Sequence, residues 1–293
     1  MSVAGAGAGS VATVPVVPDD VAIDTTVAPR RRFHAVDLVG PLIVFAAFIG
    51  VWYLGNALMS DNRKFLLPTP HKVIDRSFVD AKFRGEMLEG LWLTAKVAFI
   101  GLALAIVIGM SIAILMSQAR WIERSIYPYL VALQAIPILA LVPLIALVFD
   151  YSFRSRVLVC LIISIFPITA NTLFGLLSVD RSMHELFTLQ GVSRATRMRK
   201  LQLPAAMPAI FTGLRISAGL SVIGAIIGDF FFRRGEPGIG RLIDVYTSRP
   251  ATTPQLYGAV ILCAFLGIVV FWAFGLLAQR AVGRWHETTR GAS

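Results

Sequence analysis

Apolar residues in this chain come in long unbroken windows, not in the short alternations of a half-buried strand. Windows free of Asp, Glu, Lys and Arg cover 38–60, 97–119, 125–149, 157–179 and 250–279. A helix rises 1.5 Å per residue, so about 20 residues cross the roughly 30 Å of a bilayer's hydrocarbon. All five windows meet that length, although the polar start of the last, through Pro254, reads as loop. A sixth window, 205–232, is interrupted by Arg215 and Asp229 and carries Gly224 and Gly228, a G-x-x-x-G pair suited to close helix packing. The pattern predicts an all-α integral membrane protein of about six transmembrane helices.

The segments between windows are short. Residues 1–32 are rich in Ala, Gly, Val and Pro and hold no basic residue before Arg30; their acids are Asp19, Asp20 and Asp24. That is not the basic start of a signal peptide, and the segment reads as a disordered tail. The membrane domain is expected over 33–286, followed by a short tail, 287–293. Residues 61–90 carry Phe65-Leu66-Leu67-Pro68-Thr69-Pro70 and then a mixed-charge stretch, expected as a short interfacial helix. With both termini placed in the cytoplasm, Lys and Arg number thirteen inside and twelve outside. The positive-inside rule therefore does not orient the chain.

Composition supports the membrane assignment: of 293 residues 56% are hydrophobic and 15% charged, and mean hydropathy is +0.74. The net charge of +10 is spread between apolar runs, which argues for lipid headgroups and an acidic partner surface rather than nucleic acid. Cys160 and Cys263 lie inside apolar windows as small hydrophobes. His34, His71, His184 and His286 are far apart, and no metal site is expected. None of the five lysines is followed by Ser or Thr, so the chain has no phosphate-binding G-x-x-x-x-G-K-[ST] loop and binds no ATP or other cofactor of its own.

Polar residues in spans face a bundle interior or a wet cavity. On that ground Gln134, Pro137, Asn171, Arg215, Ser221 and Asp229 are candidates for a translocation path; Ser217, Ser221 and Thr172 read better as bonds between helices, and Gln134 and Asn171 suit either role. Pro137 and Pro143 are also suited to bending the third span. Asp229 and Arg215 lie about 21 Å apart along one helix and cannot pair within it.

Residues 184–204 read His-Glu-Leu-Phe-Thr-Leu-Gln-Gly-Val-Ser-Arg-Ala-Thr-Arg-Met-Arg-Lys-Leu-Gln-Leu-Pro. A short amphipathic helix is expected over 182–190, ended at Gly191 by a left-handed turn. A second, Arg-rich helix should then stop at Pro204, a residue that suits the first turn of the fifth span along the chain. With Glu185, Gly191, Leu201, Leu203 and Pro204 at fixed spacings, this segment resembles the EAA loop of binding-protein-dependent ABC importer permeases. Leu186 and Phe187 stand where two alanines are usual. Leu67-Pro68-Thr69-Pro70, Leu133-Gln134-Ala135-Ile136-Pro137, Phe166-Pro167-Ile168, Asn171-Thr172 and Thr212-Gly213-Leu214-Arg215-Ile216 resemble the branch serving nitrate, sulfonate, bicarbonate and thiamine precursors.

The resemblance implies a type I ABC importer permease fold in the inner membrane, with both termini cytoplasmic and no catalytic role. It implies two copies of the chain, a pair of cytoplasmic ATPases holding ATP and magnesium, and an extracytoplasmic solute-binding protein that delivers a small polar solute. The ATPase would grip Glu185, Leu186, Phe187, Leu189, Gly191, Leu203 and Pro204, with Arg194, Arg197 and Arg199 as a polar rim. The alternatives are an ion-coupled carrier or channel working without an ATPase, and a membrane-embedded enzyme, for which no catalytic constellation is visible.

Overall fold

The computed structural model describes residues 35–232 and 235–282, and every regular element among them is helical. The expected tails at 1–32 and 287–293 lie outside the described residues, as do His34 and His286. Two units are distinguished, divided after Phe48 within the first helix, α1 (Ala35–Leu58). In the first unit, Leu42, Ile43, Val44 and Phe45 expose more than half of their surface.

The second unit carries the rest of α1, then α2 (Pro70–Ile74), α3 (Ala81–Ser117), α4 (Arg120–Ala135), α5 (Ile138–Phe149), α6 (Phe153–Leu177), α7 (Arg181–Leu189), α8 (Arg194–Arg197), α9 (Leu203–Phe231), α10 (Ile239–Thr247) and α11 (Thr253–Val282). Among the described residues five helices are long and apolar enough to cross a membrane, six where the bent pair α4–α5 is counted as one broken span.

Four expectations change. The mixed-charge stretch is a short separate helix only as far as Val79; Asp80 then caps a new start, its carboxylate accepting from Lys82 N at 3.0 Å, and α3 runs 37 residues from there, about 55 Å. The third window is two helices bent by 98°. Pro137 excludes the helical conformation at Ile136, whose φ and ψ are −73° and 125°. Pro204 lies in the first turn of the fifth span, α9, as its sequence suits, but the Arg-rich helix does not stop there. A wide π-turn, Met198–Gln202, joins α8 to α9 and makes room for a proline that has no N–H and a ring that would crowd a regular turn. Pro254 lies inside the first turn of α11, where its missing N–H costs nothing.

The bundle is built on α6 against α9, with α3 across both. Gly224 and Gly228 set this crossing, since a Cβ on either would meet the backbone of Cys160 (3.0 Å) or Arg156 (3.4 Å). Gly101 of α3 abuts the same Cys160. Around them Val97, Leu102, Val157, Ile168, Ala218 and Val222 are buried.

The long helices define two ends. At one, the start of α3 meets α10 and the start of α11, with Ser77 Oγ donating to Pro254 O at 3.0 Å and Gly90 beside Ile239. At the other, Met116 of α3 packs with Leu173 of α6 and Leu130 of α4, and α7 and α8 follow from there.

Candidate functional site

The elbow α7–α8 is built from local rules. α7 ends where Gly191 takes φ +65°, a conformation that side-chain-bearing residues adopt at a cost. The Gly191 and Val192 amides close the turn onto the Thr188 (3.0 Å) and Phe187 (3.2 Å) carbonyls. Ser193 caps α8, its Oγ accepting from Thr196 N. Arg197 Nη2 donates to Thr188 Oγ1 at 2.8 Å, tying the second helix to the first. Arg197 is thus half-buried and part of the elbow's frame, whereas Arg194 and Arg199 are exposed. Glu185 pairs with Arg181 at 2.9 Å on the exposed face. Leu189 is 87% exposed and Leu186 46%, with Phe187 half-buried beside them. Leu203 and Pro204 begin α9.

A rigid corner with protruding leucines is chemically a knob: apolar area that water disfavours, held in one shape. At about 25 cal/mol per Å², covering such side chains is worth one to three kcal/mol each.

A second feature is a cavity of about 390 Å³ at the α4–α5 break, lined by Gln134, Pro137, Phe166, Pro167, Leu220 and Ile227 among others. The break leaves the last carbonyls of α4 without helical partners. Pro167 likewise returns no N–H to the Ile163 carbonyl, another residue of the lining. A largely apolar chamber thus carries Gln134 and a few unpaired backbone groups, enough to orient a small solute without holding it tightly.

The structure brings together only Gln134 and Pro137 of the six candidate path residues at this cavity. Asn171 donates to Pro167 O of its own helix at 2.8 Å and packs on Gly213. Arg215 lies 3.8 Å over the Phe271 ring on α11, held by a cation–π contact. Ser221 is buried and donates to Ala218 O. Ser217 and Ser164 exchange hydroxyl-to-carbonyl bonds between α9 and α6 at 2.8 and 3.3 Å, which is interhelical bonding.

Asp229 is fully buried away from the cavity, in a cluster the sequence reading missed. Arg156, which borders the window 157–179 and is one of the twelve basic residues placed outside by the charge count, is inside α6 and 3% exposed. Its Nη1 lies 3.1 Å from Asp229 Oδ1, and its guanidinium also donates to Phe232 O and Glu236 O, each at 3.2 Å. Thr94 of α3 donates to Asp229 Oδ2, and its hydroxyl accepts from Ile239 N at 2.9 Å. Gly238 and Gly240 lie so close to Asp229 that a Cβ on either would collide with it. The signal available was a lone acid in a span, which demands a buried cation, and Arg156 borders the facing window at the same end.

Residues 105–283 match the family described as binding-protein-dependent transport system inner membrane component. The chain is 33% identical over 253 residues to the formylaminopyrimidine transport permease protein of Halalkalibacterium halodurans, covering 83% of this chain and 94% of that one. It is 32% identical over 270 residues to the riboflavin transport system permease protein of Chloroflexus aurantiacus, covering 90% and 97%. Permeases named for aliphatic sulfonates, nitrate and bicarbonate match as well. Among solved structures, the inward-facing MetNI methionine ABC transporter superposes with a TM-score of 0.61 at 16% identity, covering 69% of this chain and 99% of that one. At that identity the likeness shows the fold alone.

Proposed function

This chain belongs to the family of inner membrane components of binding-protein-dependent transport systems and is an ABC importer permease subunit, and from that premise we propose how it couples and what it passes. The ion-coupled carrier and the membrane enzyme fall away with family membership.

In the proposed assembly two copies of the chain form the path, and both termini lie in the cytoplasm. The functional domain is 33–286. A pair of separate ATPases, which hold ATP and magnesium, seats the α7–α8 elbow of each copy. Leu186, Phe187 and Leu189 enter the ATPase cleft, Glu185 and Arg194 flank it, and Gly191 and the Arg197–Thr188 bond keep the corner stiff. Closure of the ATPase pair draws the elbows together and rocks the bundles, so that solute handed over by an extracytoplasmic binding protein enters beside Gln134. This chain catalyses no reaction. The observation carrying the reading is that Leu189, 87% exposed, sits on a corner braced by a left-handed glycine and an interhelical bond. Neither device is needed to hold a lipid-facing loop.

The relatives at 33% and 32% identity are named for a pyrimidine and a flavin, so vitamin-type nitrogen heterocycles are the first solutes to offer. The test is reconstitution with the partner ATPase and binding protein in liposomes. Uptake of such a solute is expected to require all three proteins and ATP. Uptake by this chain alone without ATP would remove the proposal.

A further inference from the structure

At the end of the molecule opposite the elbow, a cavity of about 640 Å³ opens between the segment after α1 and the start of α11. Its charged lining is Asp61, Lys64, Lys72 and Arg76. Lys64 is neutralised by Asp61 at 2.7 Å, an ion pair that holds the Asp61 carboxyl below the usual carboxylate range. Lys72 and Arg76 make no ion pair among the described residues, leaving two uncompensated cations around the opening. Gln255 also lines the cavity; it is 4% exposed, and its side-chain oxygen has no hydrogen-bond partner among the described residues. Leaving a buried amide oxygen unsatisfied is costly, and as an acceptor it calls for an occupant that brings a hydroxyl donor as well as negative charge.

The height of this cavity in a bilayer can be read from aromatic side chains. Trp52 Nε1 donates to Pro68 O at 2.9 Å and Tyr257 Oη to Leu66 O at 3.0 Å, with their rings 5.5 Å apart. Each has an apolar body along a span and a polar tip on the loop that walls the cavity, the arrangement of aromatic residues at a membrane–water interface. Phe65 and Leu66, both nearly half exposed, lie on the same loop. The cavity therefore sits at headgroup level.

We propose that this cavity binds the headgroup of an anionic, hydroxyl-bearing phospholipid such as phosphatidylglycerol, with Lys72 and Arg76 facing its phosphodiester and the buried Gln255 oxygen accepting from a headgroup hydroxyl. The site also accounts for the charge count that fails to orient the chain. Six basic residues lie between 61 and 90, on the side expected to be poor in them, and two of them line this site without an internal partner.

The test is native mass spectrometry of the purified intact transporter exchanged into phosphatidylglycerol or phosphatidylcholine. Wild type is expected to retain phosphatidylglycerol in preference. Lys72→Gln and Arg76→Gln, both at exposed positions, should each weaken that retention about fivefold. Gln255→Leu leaves the charge unchanged and should weaken it at least threefold. If that variant fails to assemble, Gln255→Glu, which opposes a carboxylate to the phosphate, gives the same reading. Equal retention of the two lipids overturns the proposal. So does an unchanged Gln255→Leu, which would mean diffuse attraction only. Full displacement of the lipid by equimolar inorganic phosphate would assign the cavity to a free oxyanion instead.

Discussion

Arg156 on α6 and Asp229 on α9 face each other at 3.1 Å with almost no exposure, joining the two helices that pack most closely in the bundle. A buried pair of this kind contributes little net stability over an apolar pair of equal volume, but removing one partner strands the other. Arg156→Met is therefore expected to cost about 3–5 kcal/mol, and Arg156→Met with Asp229→Leu much less. Thermal unfolding in detergent checks this; equal losses in the single and double variants would show that the ions are not coupled.

Two glycines of α3 predict opposite outcomes for one substitution. A Cβ at Gly101 would overlap the Cys160 side chain, while one at Gly85 meets nothing within 4 Å. Gly101→Ala should destabilise by about 1–3 kcal/mol through overpacking. Gly85→Ala should stabilise by about 0.5–1 kcal/mol, because Ala is the better helix former. The two unfolding temperatures, measured side by side, decide it.

Much of this architecture is legible in the sequence because a bilayer imposes a length. Uncharged windows locate the spans, and Gly224 and Gly228 mark the α6–α9 crossing. Gly191 announces its own turn, since few other residues adopt φ +65° readily. What is not legible is three-dimensional pairing. Arg156 stands one residue outside a window and so reads as a loop charge, although α6 starts at Phe153 and carries it into the core. Arg215 reads as a path residue because nothing in the chain reveals that Phe271 lies under its guanidinium. The break at Ile136–Pro137 is visible as a proline, but its 98° angle depends on packing.

Asp150 is the one non-glycine residue with positive φ among those described, at φ 61° and ψ 173°. Only glycine takes that region without strain of about 1–3 kcal/mol. Ser155 Oγ holds the turn by donating to Asp150 O at 2.6 Å. Asp150→Gly is expected to stabilise the protein by about 1 kcal/mol, and Ser155→Ala to loosen it by a similar amount. A destabilised Asp150→Gly, seen in the same melting assay, would mean that the carboxylate does something the backbone geometry does not reveal.

The elbow separates coupling from folding because its apolar tip supports nothing inside the chain. Leu189 is 87% exposed, so Leu189→Asp should leave the unfolding temperature unchanged while placing a charge where an ATPase cleft would expect a leucine. Burying that unpaired charge costs several kcal/mol, enough to lower ATPase co-purification by a hundredfold or more. Gly191→Val acts differently. No atom lies within 4 Å of its would-be Cβ, so its cost of roughly 1–2 kcal/mol arises from the backbone and should bend the elbow rather than block it. ATPase binding is then expected to weaken in part, with uptake falling further than binding. Gly191→Asn, which tolerates the left-handed region, should recover most of both. If Leu189→Asp binds the ATPase and drives uptake as wild type does, the elbow is not the coupling element.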